Sequence, residues 1–243
     1  MLIVNADDLG LNRIATDNII TCFKEGRITS ATAMMFMEDS ERAATVAKAS
    51  GIDVGLHINL VERFTAHATS PRLRESQERI IRYLKKSRFA FMIYNPFLRN
   101  DFRYVYQTQF DEFLKMFDQA PSHLDGHQHM HLASNMIIDT IVQPGNIIRR
   151  NFYFFPKEKS VLNRYYRFAM DWWLSKKYRI TDYFFALSQN MTSNRFKRLI
   201  SIAKESRVEL MTHPENMDEF NFLMSDEYWH AISKVRLGSY LSF

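Results

Sequence analysis

Asp7 and Asp8 stand side by side in VNADDLGLN, where a short apolar run ends. Farther along, His57 lies within DVGLHINL, and His123, His127, His129 and His131 lie within SHLDGHQHMH together with Asp125. His213 ends the run VELMTHP. Neutral imidazoles and carboxylates are ordinary ligands for Zn, Fe, Mn or Co, and a catalytic centre keeps a coordination position open for water. One carboxylate and two histidines from three segments would suffice for a mononuclear divalent site. The second aspartate of the doublet would then stay off the metal and act as general base. Plainer explanations exist for single motifs. Asp-Asp-Leu-Gly suits a turn, His57 suits a hydrogen-bonded core histidine, and His213-Pro214 suits a strand terminus because proline restricts its predecessor to extended shapes. The cluster from His123 to His131 resists such an explanation. Were it extended, Asp125, His127, His129 and His131 would face one side.

These groups need elements to bring them together. Apolar and β-branched runs predict strands over 2–6, 29–36, 53–60, 121–126, 147–155, 180–187 and 207–213. Helical patterns fall near 12–25, 39–49, 75–87, 107–119, 134–142, 160–177, 193–205 and 218–234. Gly26 is placed to stop the first helix, and Thr192-Ser193-Asn194 to start the one over 193–205. This alternation predicts an α/β fold, a TIM-barrel-like (β/α) barrel of about seven parallel strands, with the active site at the C-terminal ends of the strands. Neighbours in a strand point oppositely, so the aspartate doublet is expected at a strand's end, with Gly10 easing the turn. No G-x-G-x-x-G follows the first strand, which removes the main sign of a dinucleotide site.

The bulk composition agrees. The chain has 243 residues and 46% hydrophobic content, with no linker-like or repeated stretch, so a single domain over 1–243 is expected. Cys22 is the one cysteine and sits in an apolar helical pattern, so a buried thiol is expected and an internal disulfide is impossible. No signal peptide is visible, and no apolar run approaches the roughly 18 residues of a membrane span. A soluble, cytoplasmic chain with no membrane partner is the expectation. The net charge of +5 raises a nucleic-acid partner. The basic residues are spread along solvated helix faces, so none is expected, and a basic polyanion-binding module ranks last among the readings.

The motifs in order resemble the YdjC-like family of carbohydrate deacetylases, which includes the chitooligosaccharide (chitin disaccharide) deacetylases. The resemblance rests on Asn5-Ala6-Asp7-Asp8-Leu9-Gly10, Gly55-Leu56-His57-Ile58-Asn59-Leu60, the run from His123 to His131, His213-Pro214 and Gly238-Ser239-Tyr240. It implies a TIM-barrel-like fold and metal-dependent removal of an acetyl group from an N-acetylated sugar, with one divalent metal ion, magnesium or zinc. By position, Asp8, His57 and His127 match the metal ligands, Asp7 the catalytic base, and His213 a general acid at the leaving group. Asn5, Asn59, Asp125, His129 and His131 are left as partners that orient a ligand or touch substrate. A homodimer is also implied. The chain departs from the family pattern at Val61–His67, at Glu215-Asn216 and over 147–158, loops that would shape a sugar pocket. Phe64, Phe154, Phe155, Trp172 and Trp173 offer flat faces for a sugar, with core packing as the plainer role. The other enzymatic reading is a phosphoesterase-like metallohydrolase with two metals on a related barrel. The H-x-H common at the first strand of such enzymes is absent here.

Overall fold

Leu2–Leu9 forms strand β1, and all eight residues are buried. A strand buried on both faces must be covered on both, which is the condition of a parallel sheet. The computed structural model describes residues 1–155 and 158–243. The other strands are β2 (Ser30–Ala33), β3 (Asp53–Ile58), β4 (Leu124–Gly126), β5 (Tyr183–Ala186) and β6 (Val208–Thr212). Among the described residues these six strands form one sheet in the order β4-β3-β2-β1-β6-β5, and every neighbouring pair is parallel. β1 is thus central, and all C-terminal strand ends open to one side.

The helices are α1 (Arg13–Lys24), α2 (Ser40–Ser50), α3 (Pro71–Leu84), α4 (Arg99–Phe117), α5 (Ser134–Ile138), α6 (Val161–Ser175), α7 (Ser193–Glu205), α8 (Met217–Met224) and α9 (Asp226–Ile232). Local chemistry sets their ends. Asn12 accepts a hydrogen bond from Ala15 N at the start of α1, and Ser70 does the same for Leu73 N ahead of Pro71. Gly26 follows α1 with φ +65°, as expected of a helix stop. The helix expected over 218–234 breaks in two because the Ser225 side chain caps a new start, accepting from Tyr228 N. Its predecessors over 75–87 and 107–119 begin earlier, at Pro71 and Arg99, while that over 134–142 ends at Ile138.

The strand expected over 147–155 does not form. Only single bridges join Ile148 to Leu124 and Ile147 to Arg179. The backbone N–H of Asn151 donates to Asp171 on α6 (3.1 Å) instead of to a strand neighbour. The sheet is therefore a six-stranded half-barrel, and the seventh strand of the expected barrel is replaced by an irregular bridge. Pro156 and Lys157 of the 147–158 segment lie outside the described residues. The core beneath the helices is built from side chains such as Ile19, Leu56, Phe102, Phe113 and Leu210, all 0% exposed. Each contributes roughly 1.5–3 kcal/mol of hydrophobic stabilisation. Cys22 belongs to this core, as expected.

Candidate metal and catalytic centre

The aspartate doublet sits inside β1, not beyond its end. Ala6 pairs with Ala31 and Leu9 with Ala33, so β1 spends one residue more than β2 over the same stretch. That is a β-bulge, and Asp8 within it takes φ +68°, a left-handed value costly for a residue with a Cβ. The bulge lets two adjacent side chains approach His57, which regular pleating forbids.

Asp8 meets two histidines. Its Oδ1 lies 2.9 Å from His127 Nδ1 and 3.2 Å from His57 Nε2. Burial alone would raise the Asp8 carboxyl, yet hydrogen bonds from His127 and His57 hold it well below the usual carboxylate range. The donor atoms of Asp8, His57 and His127 all lie within 4.8 Å of one another. On the far side of His57, Nδ1 is 2.7 Å from Asp125 Oδ1. That contact commits Nδ1 and leaves Nε2 facing Asp8, the arrangement in which an outer carboxylate orients a ligating histidine. Thr32 Oγ1 donates to Asp125 Oδ2 (3.0 Å) and steadies this partner. An oxygen and two imidazole nitrogens at this spacing fit one divalent cation.

Asp7, Asp125 and Glu209 converge on Arg149, whose side chain is fully buried. Its Nη1 and Nη2 donate to the two oxygens of Asp7 at 2.6 and 2.7 Å. Nη2 also lies 2.7 Å from Asp125 Oδ2, and Nε donates to Glu209 Oε1 at 2.6 Å. Asn5 Nδ2 adds a bond to Asp7 Oδ1 at 3.0 Å. Asp7, His57 and Asp125 form a second cluster of metal-ligand type, but the guanidinium already occupies its carboxylates, and a cation there would face a buried positive charge. Burial opposes ionisation of Asp125, and Arg149 followed by His57 overcomes it, holding that carboxyl far down.

His213 follows β6. Its Nε2 stands 4.0 Å from Asp8 Oδ2, and its Nδ1 stands 3.8 Å from Glu219 Oε1. Glu219 is buried and also accepts from the His213 backbone N–H at 2.8 Å. Burial would lower the imidazole pKa, but Glu219 and then the charges of Asp7 and Asp8 raise it above its ordinary value.

A YdjC-like protein family model matches residues 1–233 of this chain. The chain belongs to the YdjC-like family. It is 26% identical over 234 residues to a carbohydrate deacetylase of Clostridium beijerinckii, covering 93% of this chain and 86% of that protein. It is 26% identical over 237 residues to a chitooligosaccharide deacetylase of Yersinia enterocolitica, covering 94% and 86%. Its fold is like that of a putative cellobiose-phosphate cleavage protein from Enterococcus faecalis, with TM-score 0.71, 18% identity, and coverage of 99% of this chain and 97% of that one.

In this YdjC-like chain the histidine cluster is not extended beyond Gly126. Residues 127–132 fold into a tight turn in which Gln128 and His129 take positive φ. His127 is thereby turned to Asp8, while its neighbours part ways. His131 Nε2 donates to the Arg149 carbonyl (3.0 Å), so it holds the segment bearing the guanidinium. His129 packs edge-on against Phe152, with ring centroids 4.4 Å apart. Burial pushes the His131 imidazole down to about 4 and His129 well down also. Asn59 stands apart from the centre. Its Oδ1 accepts from Val61 and Glu62 N, and its Nδ2 donates to Glu62 O, which closes the turn after β3. Phe64 and Phe155 are core residues, whereas Trp172 is exposed. Arg149, Glu209 and Glu219 were absent from the sequence-derived set. The signal for the first two was a charged residue inside an apolar run, in IIRRN and in VELMT.

Proposed function

We propose that this protein is a metal-dependent carbohydrate deacetylase that hydrolyses the acetamide of an N-acetylated sugar. The observation that carries the reading is the convergence of Asp8, His57 and His127, from three different strand ends, on donor atoms within 4.8 Å. The deacetylase names of its family relatives give the substrate class. A divalent cation held by these three residues would supply Lewis-acid polarisation of the amide carbonyl and ease deprotonation of water.

The rest falls to the protein's own side chains. Asp7, held by Arg149 and Asn5, takes the proton of the attacking water as general base, a role worth about 10²–10⁴-fold in rate. Its carboxylate is fixed in orientation at both oxygens, so little reorganisation accompanies the transfer. His213 is the more exposed histidine at the rim and donates a proton to the departing amine. Glu219 orients it and favours the imidazolium that this step needs. The two-metal phosphoesterase reading loses support because Arg149 fills the second cluster.

The test is acetate release from a panel of N-acetylated mono- and oligosaccharides with divalent metal supplied. Wild type should release acetate from at least one, and Asp8→Ala should not. A wild-type protein inert towards the whole panel, yet hydrolysing phosphoesters with two metals bound per chain, would overturn the assignment.

A further inference from the structure

Helix α6 is poorly accounted for by the fold. It has 15 residues, and only Asp171 and Leu174 are buried. A helix that serves a core hides a broad apolar stripe. Here the stripe faces outward: Val161, Leu162, Tyr165, Phe168 and Trp172 are 81%, 78%, 69%, 69% and 57% exposed. Positions 161, 165, 168 and 172 recur at helical spacing, so four of these side chains form one continuous ridge. A second apolar group lies on the loop between α3 and α4, where Phe89, Met92, Ile93 and Phe97 are exposed, Phe97 to 92%.

The loop and α6 meet at one cavity. A cavity of about 220 Å³ is lined by Phe91 from that loop, by Tyr166 and Met170 from α6, and by Gln128 and His129 from the turn that carries His127. Both segments are rich in cations, and Asp182, an acid beside Phe168 and Trp172, is paired with Arg207 at 3.4 Å. Residues 85–97 include Lys85, Lys86 and Arg88 and no acid. Residues 159–177 include Lys159, Arg164, Arg167, Lys176 and Lys177, and their one acid, Asp171, is buried against Arg150 at 2.6 Å. Exposed apolar area of this kind marks a binding surface. A helix with Trp, Phe and Leu on one face and cations beside it is the type that lies in a bilayer interface.

We propose that α6 and the 89–97 loop form a docking face for an anionic lipid bilayer. The apolar ridges enter the headgroup boundary, and the flanking cations meet the lipid phosphates. A second copy fits less well, because two-fold pairing would bring the same cations against each other. No helix among the described residues is long and apolar enough to cross a membrane, and a surface-lying helix needs no such span. Resting on the function proposed above, docking would set the centre beside N-acetylated sugars carried on lipids.

The full chain is to be sedimented with vesicles of phosphatidylcholine alone and of phosphatidylcholine mixed with an equal amount of phosphatidylglycerol. Binding should rise about tenfold or more with the anionic lipid and fall with added salt. Phe168→Ser combined with Trp172→Ser should lower it by about tenfold or more, with an unchanged circular dichroism spectrum, and Phe97→Ser should lower it separately. A wild-type chain that stays in the supernatant with both vesicles at low salt overturns the proposal. So does a wild-type dimer that the same substitutions dissociate, which would assign the face to a second copy. Sedimentation needs no substrate: a chain that binds vesicles but releases no acetate still supports docking, and an active chain that ignores vesicles refutes it.

Discussion

Arg149 and Asp7 lie 142 residues apart in the chain, yet the guanidinium meets both oxygens of that carboxylate. The same group reaches Asp125, which orients His57, and Glu209 beneath. One buried cation thus fixes the candidate base and, through Asp125, one candidate metal ligand.

Arg149→Met should destabilise the fold by roughly 3–5 kcal/mol, because it leaves buried carboxylates without their counter-charge. Arg149→Lys keeps the charge but cannot grip Asp7 at two points, so turnover should fall about 10²-fold with a smaller stability loss. Urea denaturation and acetate release separate the two effects. A neutral result for Arg149→Met would remove this cluster from the account of stability.

Asp7→Asn and Asp8→Asn should behave differently. The first should retain metal, read by elemental analysis, and lose about 10²–10⁴-fold in turnover. The second should lose metal as well as activity. The opposite pattern would mean that the two aspartates have exchanged roles.

Glu209 gives a stability signature in pH. Burial, only partly offset by Arg149, raises its carboxyl from 4.5 to about 7. The folded state therefore binds this proton more tightly than the unfolded chain. The resulting stabilisation is complete below 4.5 and is lost as pH rises through about 7. Glu209→Gln should flatten the dependence of thermal midpoint on pH in that window. A slope unchanged by the substitution would assign it to other groups.

His213 sets an expected alkaline limit to activity. Its imidazole is raised by Glu219 and the nearby aspartates against the effect of burial. An acid with a raised pKa stays protonated to higher pH, so the descending limb of kcat should lie above the ordinary imidazole range. Glu219→Gln should move that limb to lower pH, and His213→Asn should abolish it while lowering kcat. A limb that stays put in both variants would exclude His213 as the acid.

Gly126→Ala probes the turn behind His127. A Cβ there would meet His131 N at 2.8 Å, a backbone atom that cannot yield cheaply. Overpacking of this kind costs about 1–3 kcal/mol. The shift should also weaken metal binding, since His127 starts the displaced turn. Isothermal titration with zinc would read the loss, and unaltered affinity would show that His127 is positioned independently of Gly126.

By itself the sequence marked which segments carry candidate ligands and acid–base groups, and placed them towards the C-terminal parts of strands. The alternation of apolar runs with helical patterns is local, and so is the density of histidine from 123 to 131. β1, β3, β4 and β6 duly deliver Asp7, Asp8, His57, Asp125, His127 and His213 to one side of the sheet. Tertiary structure decided the choice among like residues. His127 faces Asp8 while His129 packs on Phe152 and His131 holds Arg149, because the chain turns after Gly126 with left-handed Gln128 and His129. Both aspartates approach His57 because a bulge against β2 breaks the pleat, and a bulge is a property of two strands together. Arg149 is visible as a charge inside an apolar run, but the carboxylates that neutralise it are distant in sequence. Such pairing exists only once the chain is folded around it.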